Sequence, residues 1–400
     1  MKRILMALAA ATLLAGQAHA QKKYGPGVTD NEILVGQSVP YSGPASAFGI
    51  YGRVMAAYFE MINDRGGING RKVKLVSLDN GFSPPRAIEA SRKLVEEMNV
   101  LAEVGTVGTP TNVAIQKYLN SKMVPQLFAS AGGSRFNNPK EFPWTVPFYP
   151  GFELEGAIHA KFILKTKPDG KIAVLYQNDD YGKDFLKGLK KGLGAAAAKR
   201  IIAEATYELS DPTVDSQIIT LQSSGADVLL HYSTPKFAAQ AIRKAANLGW
   251  KPLQLVASPA SSIGGVMKPA GLENVVGMMT AQFAKTPGSP EWANDAEMKD
   301  YLALMSRWAP KEDAGDFVGL SGYINAQGVA MVLQRCGNDL TRENLLKQAT
   351  TINSTRVAML LPGVDLSNSP DDYALYHKLR LARFDGTGWV LVGEAVSERE

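Results

Sequence analysis

Few residues in this chain have the types and spacings that do chemistry. The one cysteine, Cys336, rules out an intrachain disulfide and a cysteine-based zinc site. His19, His159, His231 and His377 show no HExxH or other close pairing that would hold a metal. No GxxxxGK[ST] run and no GxGxxG after a strand is present, so nucleotide phosphates have no cradle. Gly319-Leu320-Ser321-Gly322-Tyr323 approaches a nucleophile elbow, yet it lacks the final glycine and falls in a helical stretch. The adjacent acids Asp179-Asp180, Glu96-Glu97 and Asp371-Asp372 read as solvated loop or helix-end residues rather than a general acid–base pair. His231 closes a strand and reads as a structural, hydrogen-bonded ring. The expectation is a protein that binds rather than catalyses, with no cofactor and no metal.

What the chain does offer is a set of glycines and small hydroxyl residues at three strand ends. Pro40-Tyr41-Ser42-Gly43-Pro44 follows Val39, Gly105-Thr106-Val107-Gly108-Thr109-Pro110 follows Val104, and Ala129-Ser130-Ala131-Gly132-Gly133-Ser134 follows Phe128. Open parallel sheets bind ligands beyond the carboxyl ends of their strands. Thr109-Pro110 reads as an N-cap with proline at the first helical position, so a helix N-terminus faces that edge. Free N–H groups and the helix dipole there make an uncharged site for a small anion such as a carboxylate. Turn and cap chemistry explains any one of these segments. Three on successive strand ends point to a ligand site.

Such ends must be positioned by a sheet, and the 400-residue chain has the means. It is 45% apolar and 20% charged, a globular composition, and its net charge of +5 is spread without a basic run that would suit nucleic acid. Met1-Lys2-Arg3, an apolar stretch over residues 4–16 and Ala18-His19-Ala20 read as a signal peptide, residues 1–20, cleaved after Ala20. At ~1.5 Å per residue the stretch spans roughly 20 Å, short of the ~30 Å of a bilayer core. No cysteine follows for a lipid anchor, and no later run reaches eighteen apolar residues, so the mature chain is expected to be soluble in the periplasm. Beyond it, periodicity predicts strands over 33–39, 73–78, 101–105 and 124–129 with helices over 49–64, 85–99 and 110–120 between them. Residues 137–151 carry four prolines with aromatics between and read as an extended crossover. The alternation then restarts, with strands over 171–177, 201–207, 227–232, 253–257 and 275–283 and helices over 152–165, 182–193, 213–223 and 236–248. Helices near 291–308, 316–336 and 341–351 and strand-like pieces at 357–361, 379–384 and 389–392 close the chain. The fold class is α/β, two doubly wound parallel-sheet lobes.

Several motifs carry a resemblance. Ser42-Gly43-Pro44, Asn63-x-x-Gly66-Gly67-Ile68-Asn69-Gly70 before a strand, Asp79 with Pro84, and Tyr181-Gly182 after a strand are arranged as in one family. With the signal peptide and two-lobed pattern, the mature chain resembles the periplasmic solute-binding receptors of branched-chain amino acid ABC transporters, the leucine/isoleucine/valine-binding type. The resemblance implies a type I periplasmic binding, or Venus-flytrap, fold whose lobes are joined by three crossovers. Residues 21–145 with 280–362 would form lobe one, and 146–279 with 363–400 lobe two. It further implies a monomer that closes on a small-molecule ligand and delivers it to a membrane permease.

Carried over by position, Thr109, Ser130 and Ser134 would hold the ligand carboxylate by their hydroxyls, assisted by backbone N–H groups near Gly133 and Thr111. Tyr181 would close over the ligand and Phe48 would line the pocket, with Ser42, Ala131, Ser233 and Ser258 completing the site. Two departures stand out. Phe82 and Gly108 occupy positions that some relatives join by a disulfide, and Ser258-Pro259-Ala260-Ser261-Ser262 stands where amino-acid-specific members place an acid for the ligand ammonium. A buried ammonium without a carboxylate is costly. The expected ligand is therefore a hydrophobic or aromatic carboxylate, or a branched-chain-type amino acid should Asp179, Asp180 or Glu155 supply the missing charge. A sensor for a membrane signalling receptor and a secreted α/β hydrolase are the alternative readings.

Overall fold

A computed structural model describes residues 22–397, so the expected signal peptide lies outside the described residues. Apolar runs in the first part form β1 (Lys23–Tyr24), β2 (Glu32–Val39), β3 (Lys72–Asp79), β4 (Glu103–Val104), β5 (Gln126–Ala129) and β6 (Thr145–Pro147). Helices α1 (Gly49–Asp64), α2 (Pro84–Arg92) and α3 (Thr109–Ser121) lie in the gaps. β3-β2-β4-β5-β6 make a parallel sheet. On one face of this sheet Val35, Val39 and Val104 are sealed from solvent, while the other face buries the polar Ser38 and Glu103. The strand β6 lies in the proline-dense stretch expected to be crossover alone. Proline is tolerated there because β6 is the edge of the sheet, where a missing donor leaves no gap in a ladder.

The second lobe repeats the plan with α4 (Phe152–Thr166), β7 (Ile172–Gln177), α5 (Asp180–Leu193), β8 (Ile201–Tyr207), α6 (Asp215–Ser223), β9 (Val228–Tyr232), α7 (Pro235–Asn247), β10 (Leu253–Val256) and β11 (Met279–Gln282). The chain then returns to lobe one as α8 (Ala296–Trp308), α9 (Phe317–Cys336), β12 (Asp339–Leu340) and α10 (Arg342–Ala349), with β12 pairing β1. Two last strands, β13 (Lys378–Phe384) and β14 (Trp389–Ser397), rejoin lobe two. Its sheet runs β14-β13-β11-β10-β9-β7-β8, parallel except for the antiparallel hairpin at the β14 edge. The piece at 357–361 is not a strand; it contributes one bridge, Leu360 to Ala284.

Three boundaries move from the expected residues: β6 keeps the chain in lobe one through Pro147 rather than residue 145. β11 belongs to the larger sheet, so the return to lobe one follows Gln282 rather than residue 279. Residues 363–373, assigned by sequence to lobe two, hydrogen-bond to lobe one instead: Asn368 donates to the Ala349 carbonyl, and Tyr373 donates its N–H to Asn137. The three crossovers thus pass near residues 147–151, 283–286 and 374–378. One aromatic from each meets the others, Phe283 packing edge-on against Tyr149 at 5.4 Å and against Tyr376 at 5.2 Å. Within lobe two, α4 and α5 approach closely because their contact is glycine: a Cβ on Gly188 would sit 2.1 Å from the Glu153 carbonyl oxygen. The lone cysteine, Cys336, ends α9 and is buried.

Candidate functional site

Because the parallel strands point their carboxyl ends toward the other lobe, the loops after β2, β4 and β5 face those after β7, β9 and β10 across a narrow cleft that opens to solvent. Lobe one contributes Phe48, the turn Val107-Gly108-Thr109-Pro110 and Ser130; lobe two contributes Gln177, Tyr181, Thr234 and Pro259. The first crossover adds Tyr149 and Phe152, and the start of α9 adds Phe317, Val318 and Ser321. Tyr51 and Phe82 complete the wall.

Of the residues expected from sequence, Phe48, Thr109, Ser130 and Tyr181 come together here. Thr109, the expected N-cap, is instead the first residue of α3 with Pro110 second, and the N-cap is Gly108 with φ at 107°. Its hydroxyl has no hydrogen-bond partner among the described residues, and the first N–H groups of α3 open beside it. Gly108 has to be glycine, since a Cβ there would lie 2.4 Å from the Phe82 ring. Phe82 stacks on Phe48 at 6.0 Å. The two positions that a disulfide joins in some relatives therefore build an aromatic wall instead. The Tyr181 ring packs edge-on against Phe152 at 5.0 Å while its hydroxyl donates to the Ser233 carbonyl at 3.1 Å.

The other expected residues do not line the cleft, and each has a physical reason. Ser42 donates to Asp79 at 2.5 Å, outside the cleft. Thr111 turns its hydroxyl back onto the Val107 carbonyl at 2.7 Å. Ala131 folds into a tight turn, its N–H donating to the Ala129 carbonyl, and Ser233 is fully buried beneath Tyr181. Gly133 and Ser134 face a separate cavity beside the crossovers. Ser134 is taken by lobe two: its N–H donates to Asp184 Oδ2 at 2.6 Å and its hydroxyl to Oδ1 at 3.2 Å. Ser258 is held by Glu155, donating its N–H at 2.7 Å and its hydroxyl at 2.6 Å.

Among the described residues no Asp, Glu, His, Lys or Arg lines the cleft. The three acids considered for an ammonium are all committed elsewhere. Glu155 is buried under Ser258, and that burial pushes its carboxyl up to about 8. His159 lies 3.7 Å from it, and burial drops the imidazole to about 3, so both groups are neutral at pH 7. Asp179 caps α5 by accepting the N–H groups of Tyr181 and Gly182. Asp180 pairs with Arg135 of lobe one at 3.2 Å. His231 is a core residue, 2.8 Å from Gln254, as its place in a strand suggested. The site missed in sequence is largely aromatic. Tyr149 lay in the visible aromatic-proline stretch, whereas Phe317 and Ser321 come from α9, far along the chain, with no local signal.

Residues 32–388 match the model of a family described as periplasmic binding protein. The chain belongs to that family. Leu/Ile/Val-binding protein homolog 7 of Brucella suis biovar 1 is 27% identical over 380 residues, covering 90% of this chain and 89% of the relative. A substrate-binding periplasmic protein from Ralstonia solanacearum superposes with a TM-score of 0.81 at 23% identity, covering 90% of this chain and all of that one. A solute-binding ABC-transporter protein from R. palustris, solved with benzoate, superposes at 0.76 with 19% identity over 92% of this chain and 98% of its own. The resemblance drawn from the motifs and the type I fold are both borne out. By family the chain is a periplasmic binding protein, and the Brucella relative is named as a Leu/Ile/Val-binding protein homolog. No helix among the described residues is long and apolar enough to cross a membrane.

Proposed function

We propose that this protein captures a small hydrophobic or aromatic carboxylate in the interlobe cleft and delivers it, as a periplasmic monomer released from its signal peptide, to an ABC permease. The observation that carries this reading is the cleft wall itself: no ionised side chain, a free Thr109 hydroxyl at a helix N-terminus, and aromatic rings opposite. Thr109, the first N–H groups of α3 and Ser130 anchor the negative end, the helix dipole favouring it without a countercharge. Phe48, Phe82, Phe152 and Tyr181 cover the apolar body, at ~25 cal/mol per Å² of apolar surface removed from water. An ammonium would have no carboxylate to meet, since Glu155, Asp179 and Asp180 are engaged. A ligand that touches both lobes favours the closed form, and one that touches a single lobe shifts nothing. The relative solved with benzoate fits this chemistry. Calorimetric titration with benzoate and isovalerate against L-leucine tests the reading. Acids binding at least tenfold more tightly than leucine is the expected result; leucine binding as well as or better than the acids overturns it.

A further inference from the structure

Behind Ser130 the cleft continues into a much smaller pocket, with room for one water-sized group. Phe148 and Phe283 supply its apolar wall and Tyr51 and Asn325 its polar one, while Ser130 and Ser321 belong to both spaces. Tyr51 and Asn325 are 2% and 1% exposed, yet Tyr51 Oη and Asn325 Oδ1 have no hydrogen-bond partner among the described residues. Leaving a buried polar atom unpaired costs about 1–3 kcal/mol, so two on one small pocket call for an occupant. Ser130 faces Tyr51 across the space without closing a hydrogen bond of normal geometry.

The polarity of one end of that occupant is fixed. Asn325 Nδ2 donates to the Phe128 carbonyl at 2.9 Å. That carbonyl is aimed at α9 because Phe128 sits at a register shift in β5 with φ at 56°, a left-handed conformation rare for an aromatic residue. The amide therefore cannot turn over, and the acceptor end of Asn325 is the one left facing the pocket. The Tyr51 hydroxyl can accept or donate, and donating is the role that complements the acceptor of Asn325. A group that takes both must accept one hydrogen bond and donate another, as a hydroxyl does and a carboxylate or methyl does not.

We propose that the inner pocket takes a hydroxyl on the ligand body, which accepts from Tyr51 Oη and donates to Asn325 Oδ1. The ligand class narrows to hydroxylated aromatic or comparable hydroxylated acids. This rests on the acid-binding cleft for its setting, but its test is separable. Binding of benzoate and of its 3- and 4-hydroxy derivatives is measured on the full protein by calorimetry, and the same set is run with benzamide as parent. The comparison is made within each set, so it holds whichever head group the cleft prefers; amides binding as tightly as acids would count against the carboxylate reading alone. The expected result is that one hydroxylated member binds roughly tenfold more tightly than its parent, and that Tyr51→Phe reduces this to about twofold or less. Equal binding within both sets means that the pocket holds only an ordered water and overturns the inference. So does a preference that survives Tyr51→Phe, or failure of every compound to bind. Should Tyr51→Phe fail to fold, the wild-type comparison decides alone.

Discussion

Thr109 is the residue on which the anion site turns. Its hydroxyl faces the cleft unpartnered, and Thr109→Val keeps the shape while removing the donor. A charge-assisted hydrogen bond contributes about 1.5–3 kcal/mol, so affinity for benzoate is expected to fall roughly tenfold or more on calorimetry with the melting temperature nearly unchanged. Buried acids set a second expectation. Burial raises Glu103 to about 7 and Glu155 to about 8. The native state then holds protons that the unfolded chain releases above ~4.5, so the stabilisation is full at low pH and is lost as pH rises toward the folded values. Depressed His159 and His231 act in the opposite sense, but chiefly below ~6.5. Between pH 6.5 and 8 the two carboxylates outweigh the residual histidine contribution, so urea midpoints should show stability falling across that window, and Glu103→Gln should shrink the fall. The hydroxyl rims were legible in sequence because glycine, serine and threonine cluster where strands stop. The fates of Ser134 and Ser258 were not, since the acids that claim them stand 50 and 103 residues away.

At the scale of elements, α4 and α5 form a contact that depends on missing side chains. Gly188 lies against the Glu153 carbonyl, and Gly156 would bring a Cβ to 2.3 Å from the Phe185 carbonyl oxygen. Backbone cannot retreat as a flexible side chain can. Gly188→Ala is expected to cost about 1–3 kcal/mol, read as a lower melting temperature of the whole protein, despite the better helix propensity of alanine. Most elements were readable because apolar period changes from two to about four at each boundary; the helix over 49–64 and the strand over 201–207 fall where the pattern put them. The strand β6 was hidden by its prolines, which forbid a central strand but not an edge. The antiparallel return of β13 and β14 was hidden too, because side-chain alternation does not encode strand direction.

For the whole molecule, the question is what holds the lobes together. Ser134 and Arg135 of lobe one bind Asp184 and Asp180 of α5, and Ser262 of lobe two donates to Asp316 at 2.8 Å. These bridges favour the closed form directly, whereas the ligand favours it by touching both walls. Asp184→Ala should therefore enlarge the radius of gyration of the unliganded protein in solution scattering and weaken apparent affinity several-fold, because only the competent fraction binds. An unchanged radius and affinity would assign Asp184 to packing alone. The two-lobed plan was legible because the alternation stops and restarts, but the lobe boundaries were not, since segment 363–373 is tied to lobe one by partners such as Asn137 that are remote in sequence. Cys336 is sealed at the end of α9, where burial pushes its thiol up to about 12. Maleimide should ignore the native fold and modify it in denaturant, which leaves the surface open for a pair of engineered thiols carrying dyes, one per lobe, to follow the hinge by energy transfer.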